Sequence, residues 1–321
     1  MKINLIFLIF ILTFKSYAVD NNWRAVDVKF HCDRIYAVNK ISNKEQLFFT
    51  DSGGGLSPFV FKNTVKPWNV SNLKYNQFKE GNYDFVLANT KWPKNIKIGF
   101  YPDNTYLKGL KVVDCVKEKN NEFCFLKSFM KDGFIGADWY ADKAWKLDYK
   151  NKKVSYSRMS SEITGAERIG FKVLNGKRVT HQPTMSIEID GKKYFMLFDT
   201  GATANYSSDA RKTIKLKDQF CGASFMKASL FDLLSKKYPL WKIIKSGDHF
   251  SGGSDLLKIP AIKVGGHIVG PIWFAKRSNA VYEKYSKKYV DRPIDGAVGG
   301  NILKNFLVTI DYIGNQIRFD K

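Results

Sequence analysis

Two short segments of the 321-residue chain have the makings of a paired-carboxylate site. Each runs an apolar stretch into an aspartate and follows it with a hydroxyl residue and a glycine. Leu47-Phe48-Phe49-Thr50 leads into Asp51-Ser52-Gly53, and Tyr194-Phe195-Met196-Leu197-Phe198 leads into Asp199-Thr200-Gly201-Ala202. Two carboxyls held about 3 Å apart cannot both ionise, so they share one proton and titrate as a unit. Such a pair contains a general base and a general acid together. The ionised member can take a proton from a water lying between them while the protonated member donates to a carbonyl oxygen, which hydrolyses a peptide bond without a metal or a covalent intermediate. Glycine beside each aspartate lets the two backbones approach, and the Ser52 and Thr200 hydroxyls are suited to hydrogen-bond across the pair. A lone Asp-Ser-Gly triplet is more often a solvated turn, so the reading depends on what surrounds each copy.

What surrounds them is an internal repeat. Each aspartate ends the second strand of a hairpin. In the second copy Ile187 and Ile189 run into Asp190-Gly191, a strong two-residue turn signal; in the first, Tyr36 and Val38 run into Ser42-Asn43-Lys44. Further on, each copy has two apolar residues and a glycine, Phe134-Ile135-Gly136 and Ala297-Val298-Gly299, and an Asp-Tyr pair begins twelve residues after each glycine, at Asp148-Tyr149 and Asp311-Tyr312. The flanking apolar residues alternate as in a half-buried strand. The insertions between these ends differ, and the second copy adds a helix over 228–237 with Leu230, Leu233 and Leu234 on one face. The pattern predicts a 19–157 lobe carrying Asp51, a linker over 158–168 and a 169–321 lobe carrying Asp199.

The first eighteen residues read as a secretory signal peptide: Lys2, an apolar run from Ile3 to Phe14, and the small-residue ending Ser16-Tyr17-Ala18. That run is too short to span a bilayer, so no stable membrane anchor is expected, and the protein is expected to be secreted or periplasmic. Cys32, Cys115, Cys124 and Cys221 form an even set, which in an exported chain favours disulfides. Cys115 with Cys124 is the natural local pair, yet three connectivities stay open, and a Cys32–Cys221 bridge would tie the halves together. The formal charge of +22 is spread along the whole chain and accompanies no nucleic-acid motif, so no nucleic-acid partner is expected. His31, His181, His249 and His267 lack metal-ligand spacing, and neither a G-x-S-x-G elbow nor an H-E-x-x-H helix occurs.

The two triplets and the two apolar-apolar-glycine elements resemble the aspartic peptidase superfamily over nearly the whole chain after residue 18. The second copy, Phe198-Asp199-Thr200-Gly201-Ala202-Thr203 with Ala297-Val298-Gly299-Gly300-Asn301-Ile302-Leu303, is similar to bacterial retropepsin-like members. The resemblance implies an all-β, bilobal pepsin/retropepsin-like fold. It also implies a catalytic dyad of Asp51 and Asp199 supported by Ser52, Gly53, Thr200 and Gly201, with no metal and no cofactor. An extended peptide or protein substrate would lie between the lobes of a monomer. A glycine-rich hairpin from Phe250-Ser251-Gly252-Gly253 to Gly265-Gly266 is similar to a substrate-covering flap, and a first-lobe flap is expected between Tyr75 and Tyr83. The chain departs from the family pattern at Asp51-Ser52-Gly53-Gly54-Gly55, which lacks the small hydroxyl residue or alanine that usually follows the motif glycine. The few residues between Ala18 and Trp23 leave no room for a conventional inhibitory pro-segment. Two alternatives therefore stand beside the peptidase: a catalytically degenerate peptide-binding module, and a homodimer using two copies of Asp199.

Overall fold

The computed structural model describes residues 23–41, 44–55, 58–68, 70, 73–80, 83–90, 109–115, 125–160 and 162–321. The proposed signal peptide, the Ser42-Asn43 turn and Cys124 lie outside them.

The first lobe contains β1 (Arg34–Ile41), β2 (Lys44–Thr50), β3 (Phe59–Phe61), β4 (Asn76–Glu80), β5 (Tyr83–Thr90), β6 (Leu110–Asp114), the short helix α1 (Lys127–Met130) and β7 (Gly133–Ile135), and β8 (Ala144–Asp148) follows. The second contains β9 (Thr184–Ile189), β10 (Lys192–Phe198), β11 (Ser224–Lys227), α2 (Ala228–Lys237), β12 (Ile243–Asp248), β13 (Ser254–Ile259), β14 (Ile272–Arg277), α3 (Asn279–Tyr289), β15 (Gly296–Val298) and finally β16 (Leu307–Asp311).

The sheets repeat one topology. In the first lobe the order β1-β2-β7-β3-β6-β5-β4 is matched in the second by β9-β10-β15-β11-β14-β13-β12. Directions match as well: β2 with β7, β10 with β15, β3 with β6, and β11 with β14 are parallel, while the remaining neighbours are antiparallel. The two aspartate-bearing strands even share one burial sequence, exposed at the start and closed for their last three residues. In both, a run of large apolar side chains at the aspartate end is buried between the sheet and what covers it, and this drives the pairing. The fold is all-β and bilobal, with the lobes related by a pseudo-twofold axis.

The axis passes through a third sheet beneath the lobes, to which both contribute. There β8 pairs antiparallel with β16, and Lys146 lies opposite Thr309. Each of these residues stands two before the aspartate of its own Asp-Tyr pair, so the central partners are counterparts in the repeat. Trp145, Leu147, Val308 and Ile310 are buried on the core side of these strands.

Cys32 sits with Asp33 at a tight turn, both with positive φ. Three local expectations change. Of the residues assigned to one face of α2, Leu230 and Leu234 are buried with Phe231, but Leu233 is 55% exposed. Successive residues turn by about 100°, so the buried stripe runs through 230, 231 and 234 and leaves Leu233 beside it. Within the 158–168 segment, Glu167–Arg168 forms a short strand paired with Gln316–Asp320. Finally, Phe250 to Gly253 form the tip of the β12–β13 hairpin, whereas Gly265 and Gly266 turn a separate hairpin between Ile262–Val264 and His267–Val269.

A Cys32–Cys221 disulfide joins the turn before β1 to the second lobe, spanning 189 residues; Cys115 is disulfide-bonded as well. Gly222 N–H donates to the Cys32 carbonyl at 2.8 Å beside the bridge. Closing so long a loop restricts the unfolded chain by up to about 5 kcal/mol. Replacing both cysteines (Cys32→Ser with Cys221→Ser) is expected to lower the unfolding free energy of the oxidised protein by a large part of that amount, read as a fall in the denaturant midpoint at unchanged m. An unchanged midpoint would show that the bridge adds nothing to the sheet joining the lobes.

Candidate active site

Equivalent backbone bonds hang the two aspartates from their lobes: Asp51 N–H donates to the Ile135 carbonyl at 2.9 Å and Asp199 N–H to the Val298 carbonyl at 3.0 Å. Each carboxylate then accepts from the glycine two residues on, Gly53 N–H at 2.9 Å and Gly201 N–H at 3.0 Å. These turns aim the side chains at the pseudo-twofold axis, where the two carboxyls hydrogen-bond to each other. The glycines are required by proximity. A Cβ at Gly53 would lie 2.6 Å from Asp199 Cγ, and one at Gly201 would lie 2.2 Å from Asp51 Cγ.

Beneath the carboxyls, Ser52 and Thr200 form a reciprocal lattice across the axis. Ser52 N–H donates to Thr200 Oγ1 and Thr200 N–H to Ser52 Oγ, both at 3.0 Å. Each hydroxyl passes its proton to a carbonyl of the other lobe, Ser52 Oγ to Phe198 at 2.9 Å and Thr200 Oγ1 to Thr50 at 3.4 Å. Both side chains are fully buried, so each bond replaces hydration that has been lost, and losing one strands a partner at a cost of about 1–3 kcal/mol.

Burial raises the affinity of both carboxyls for protons. For Asp199, held well above the usual carboxylate range, the next cause is the negative charge of Asp51. For Asp51 the hydrogen bond from Asp199 opposes the rise. Two such carboxyls titrate as a unit, and the state in which they share a single proton is favoured over two charges side by side.

The remaining residues singled out in the sequence divide into two groups. Asp51, Ser52, Gly53, Asp199, Thr200 and Gly201 come together at the centre of the molecule. Phe250, Gly252 and Gly253 lie at the tip of β12–β13, where the Phe250 ring meets Phe125, Phe129 and Phe220 at 5.6, 6.2 and 5.9 Å. The first-lobe segment Tyr75–Tyr83 falls on the β4–β5 hairpin, the topological counterpart of β12–β13, and its tip lies outside the described residues. The cysteine–carboxylate cluster Cys32, Cys221 and Asp218 is the one group with metal-ligand proximity among the described residues, and its sulfurs are joined in the disulfide.

Several contributors had no signal in the motif. Tyr140, fully buried, donates to Thr50 Oγ1 at 2.9 Å and stands 3.1 Å from Thr200 Oγ1. Gln182 Nε2 donates to the Gly54 carbonyl at 3.0 Å, and its neighbour His181 is bound to Asp138 at 2.8 Å. Tyr285 donates to the Gly53 carbonyl. Each reaches the dyad loops from a distant element.

Neither a protein-family model nor a curated protein matches the chain. Among solved structures it is similar to basic 7S globulin from soybean (9% identity, 93% of this chain and 94% of that one, TM-score 0.43) and to conglutin gamma, a basic 7S globulin from lupine seeds (8% identity, 94% and 95%, TM-score 0.45). At these values the fold rests on its own topology and not on the likeness.

Two outcomes follow from the geometry. Thr200→Val removes an acceptor and a donor from the lattice and is expected to destabilise the protein by about 1–3 kcal/mol, read from denaturant unfolding; a smaller loss than for an exposed threonine would contradict the lattice. Because both carboxyls hold protons more tightly in the fold than in the unfolded chain, the stability they contribute is complete below about pH 4 and is lost as pH rises through the raised titration of the pair. Asp199→Asn is neutral at every pH, so it is expected to melt above wild type at pH 7 and by a shrinking margin toward pH 4. A margin independent of pH would mean that the pair titrates normally.

Proposed function

We propose that the chain is an aspartic endopeptidase that acts at acidic to mildly acidic pH on extended peptide segments lying between the lobes. The observation that carries this reading is the pair of buried carboxyls brought together across the axis over a reciprocal hydroxyl lattice. In the working cycle a water between the carboxyls gives one proton to ionised Asp51 as its oxygen attacks the scissile carbonyl carbon. Asp199 gives its proton to the carbonyl oxygen, forming a gem-diol. When the carbon–nitrogen bond breaks, the nitrogen takes the proton from Asp51 and Asp199 recovers one from a diol hydroxyl, which restores the starting state. Asp199 finds its partner carboxylate within its own chain, which supports a monomer over a dyad of two Asp199 side chains. The disulfides support export to an oxidising compartment, and the second-copy motifs support a place near the bacterial retropepsin-like peptidases.

One observation favours a second reading, a peptide-binding module without catalysis that holds an extended chain by strand pairing. Residues 53–55 are all glycine, so beyond Ser52 the first loop has no side chain of its own with which to fix the position of Asp51.

Cleavage of a denatured general protein substrate across pH 3 to 7 separates the readings. Activity of the oxidised wild type is expected to fall at least about 10³-fold in both Asp51→Asn and Asp199→Asn, each of which removes the shared proton chemistry, and to be blocked by a statine-type peptide. Full activity in Asp51→Asn would return the dimer of Asp199 sites. A folded wild type that binds the statine peptide but cleaves nothing would establish the binding module.

A further inference from the structure

The two dyad loops are completed in different ways. In the second, Thr203 turns its Oγ1 back onto the Gly201 carbonyl at 2.9 Å. The residue equivalent to Thr203 in the first loop, four after its aspartate, is Gly55, which has no hydroxyl to offer. The carbonyl equivalent to that of Gly201 belongs to Gly53, and it accepts instead from the Tyr285 hydroxyl. The volume that a side chain at Gly55 would fill is taken by the ring of Tyr289, whose Cζ stands 2.5 Å from the position of a Cβ. Both missing contributions are supplied by neighbouring turns of α3, from the opposite lobe.

The helix is placed for this. Tyr282, Tyr285 and Tyr289 are spaced by three and four residues and share one face. Tyr282 is buried among Leu197, Val290, Ile294 and Ala297, and Leu197 precedes Asp199 by two residues, so the two project to the same side of the chain. The helix thus rests on the sheet face from which Asp199 emerges, and the rings of Tyr285 and Tyr289, with centroids 4.9 Å apart, extend to the first loop. Burial, followed by the charges of Asp199 and Asp51, pushes the Tyr285 phenol well above its ordinary range. It remains a hydrogen-bond donor wherever the dyad works.

We propose that Tyr285 is a positioning residue that completes the Asp51 loop from the other lobe, supplying across the cleft the hydroxyl that Thr203 supplies within its own loop. Gly53 carries both ends of this device: its N–H holds Asp51 Oδ1 and its carbonyl is held by Tyr285, so the carboxylate is fixed only while α3 is seated. The catalytic consequence rests on the peptidase reading, while the effect on the titration of the pair does not.

The test compares wild type, Tyr285→Phe, and a triple variant, Tyr285→Phe with Tyr289→Ala and Gly55→Thr. The triple variant clears the space at residue 55 and restores a hydroxyl within the first loop. Gly55 is not among the positive-φ glycines, so its backbone accepts a threonine. Loss of one net hydrogen bond is expected to lower kcat of Tyr285→Phe by about three- to tenfold with KM little changed. The triple variant is expected to recover to within about twofold of wild type. Without reference to cleavage, the part of the pH dependence of unfolding that Asp199→Asn abolishes is expected to shrink in Tyr285→Phe, because a loosened loop admits water to the carboxyls. A rise in kcat/KM in Tyr285→Phe would mean that Tyr285 obstructs substrate and would overturn the proposal, as would a variant equal to wild type in both readouts. A wild type inactive at every pH would remove the peptidase reading alone, and the unfolding readout would then decide the role of Tyr285.

Discussion

Two carboxyls cannot be withdrawn from water side by side unless they share a proton, and the rest of the molecule is arranged to keep them there. Desolvation disfavours each charge, and proximity disfavours two. The compensation comes from groups that neither lobe has alone: Ser52 and Thr200 bond to each other's backbone and pass their protons to carbonyls across the axis. The pseudo-twofold relation is therefore a physical requirement of the site, because each hydroxyl needs an acceptor that only the opposite strand end can present. The shared sheet fixes that relation beneath the lobes, with Lys146 opposite Thr309, and the Cys32–Cys221 bridge fixes it at the side.

Within this symmetric frame the two copies have exchanged volume and hydrogen bonds. Where the second loop has Ala202 and Ala297, the first has Gly54 and Phe134, and the Phe134 ring lies 2.5 Å from where a Cβ at Gly54 would sit. The bulk lost from one position has been added at the other, a tolerated kind of change in a close-packed interior. A second exchange concerns polarity. Thr50 stands where the other copy has Phe198, and its hydroxyl points to the Ile35 carbonyl at 3.1 Å. Tyr140 donates to that hydroxyl, which leaves Thr200 Oγ1 to direct its proton toward Tyr140 as well as toward the Thr50 carbonyl. The longer Thr200–Thr50 contact, 3.4 Å against 2.9 Å for Ser52–Phe198, is what a divided donor would give. The two lattice halves are thus chemically unequal.

What the sequence displayed was whatever depends on residues near in the chain. Asp190 and Gly191 both adopt positive φ at the turn between β9 and β10, as the dipeptide requires. The twelve-residue spacing from each motif glycine to its Asp-Tyr pair located β8 and β16, and α2 occupies the residues its pattern marked out. The exposed Leu233 and the merged flap hairpin mark where period and glycine content stop discriminating: a leucine at the edge of a stripe has the right spacing, and two adjacent hairpins both turn on glycine. Contacts decided by tertiary placement left no trace. Tyr285 lies 232 residues from Gly53, and nothing local to a tyrosine in a lysine-rich helix points to a glycine carbonyl in the other lobe. The triple glycine at 53–55 was visible as a departure, but its reason was not, because it lies in Asp199, Phe134 and Tyr289.

That departure bears on how a bilobal site can change without losing its chemistry. A loop that carries its own hydroxyl, as Thr203 does for Gly201, is ordered in part by its own lobe. A loop of glycines pays a larger entropy cost to adopt one shape and becomes ordered only where its surroundings constrain it. Here the constraint comes from Gln182 on the Gly54 carbonyl, Ala137 N–H on the same oxygen at 3.2 Å, and the α3 tyrosines. The order of the Asp51 loop is thereby coupled to the docking of the two lobes more strongly than that of the Asp199 loop, which has Thr203 of its own beside the bonds Thr200 makes across the axis. The lobes can separate only by releasing the first carboxylate, so the fold ties a geometric condition, closure around the axis, to the chemical one, a shared proton.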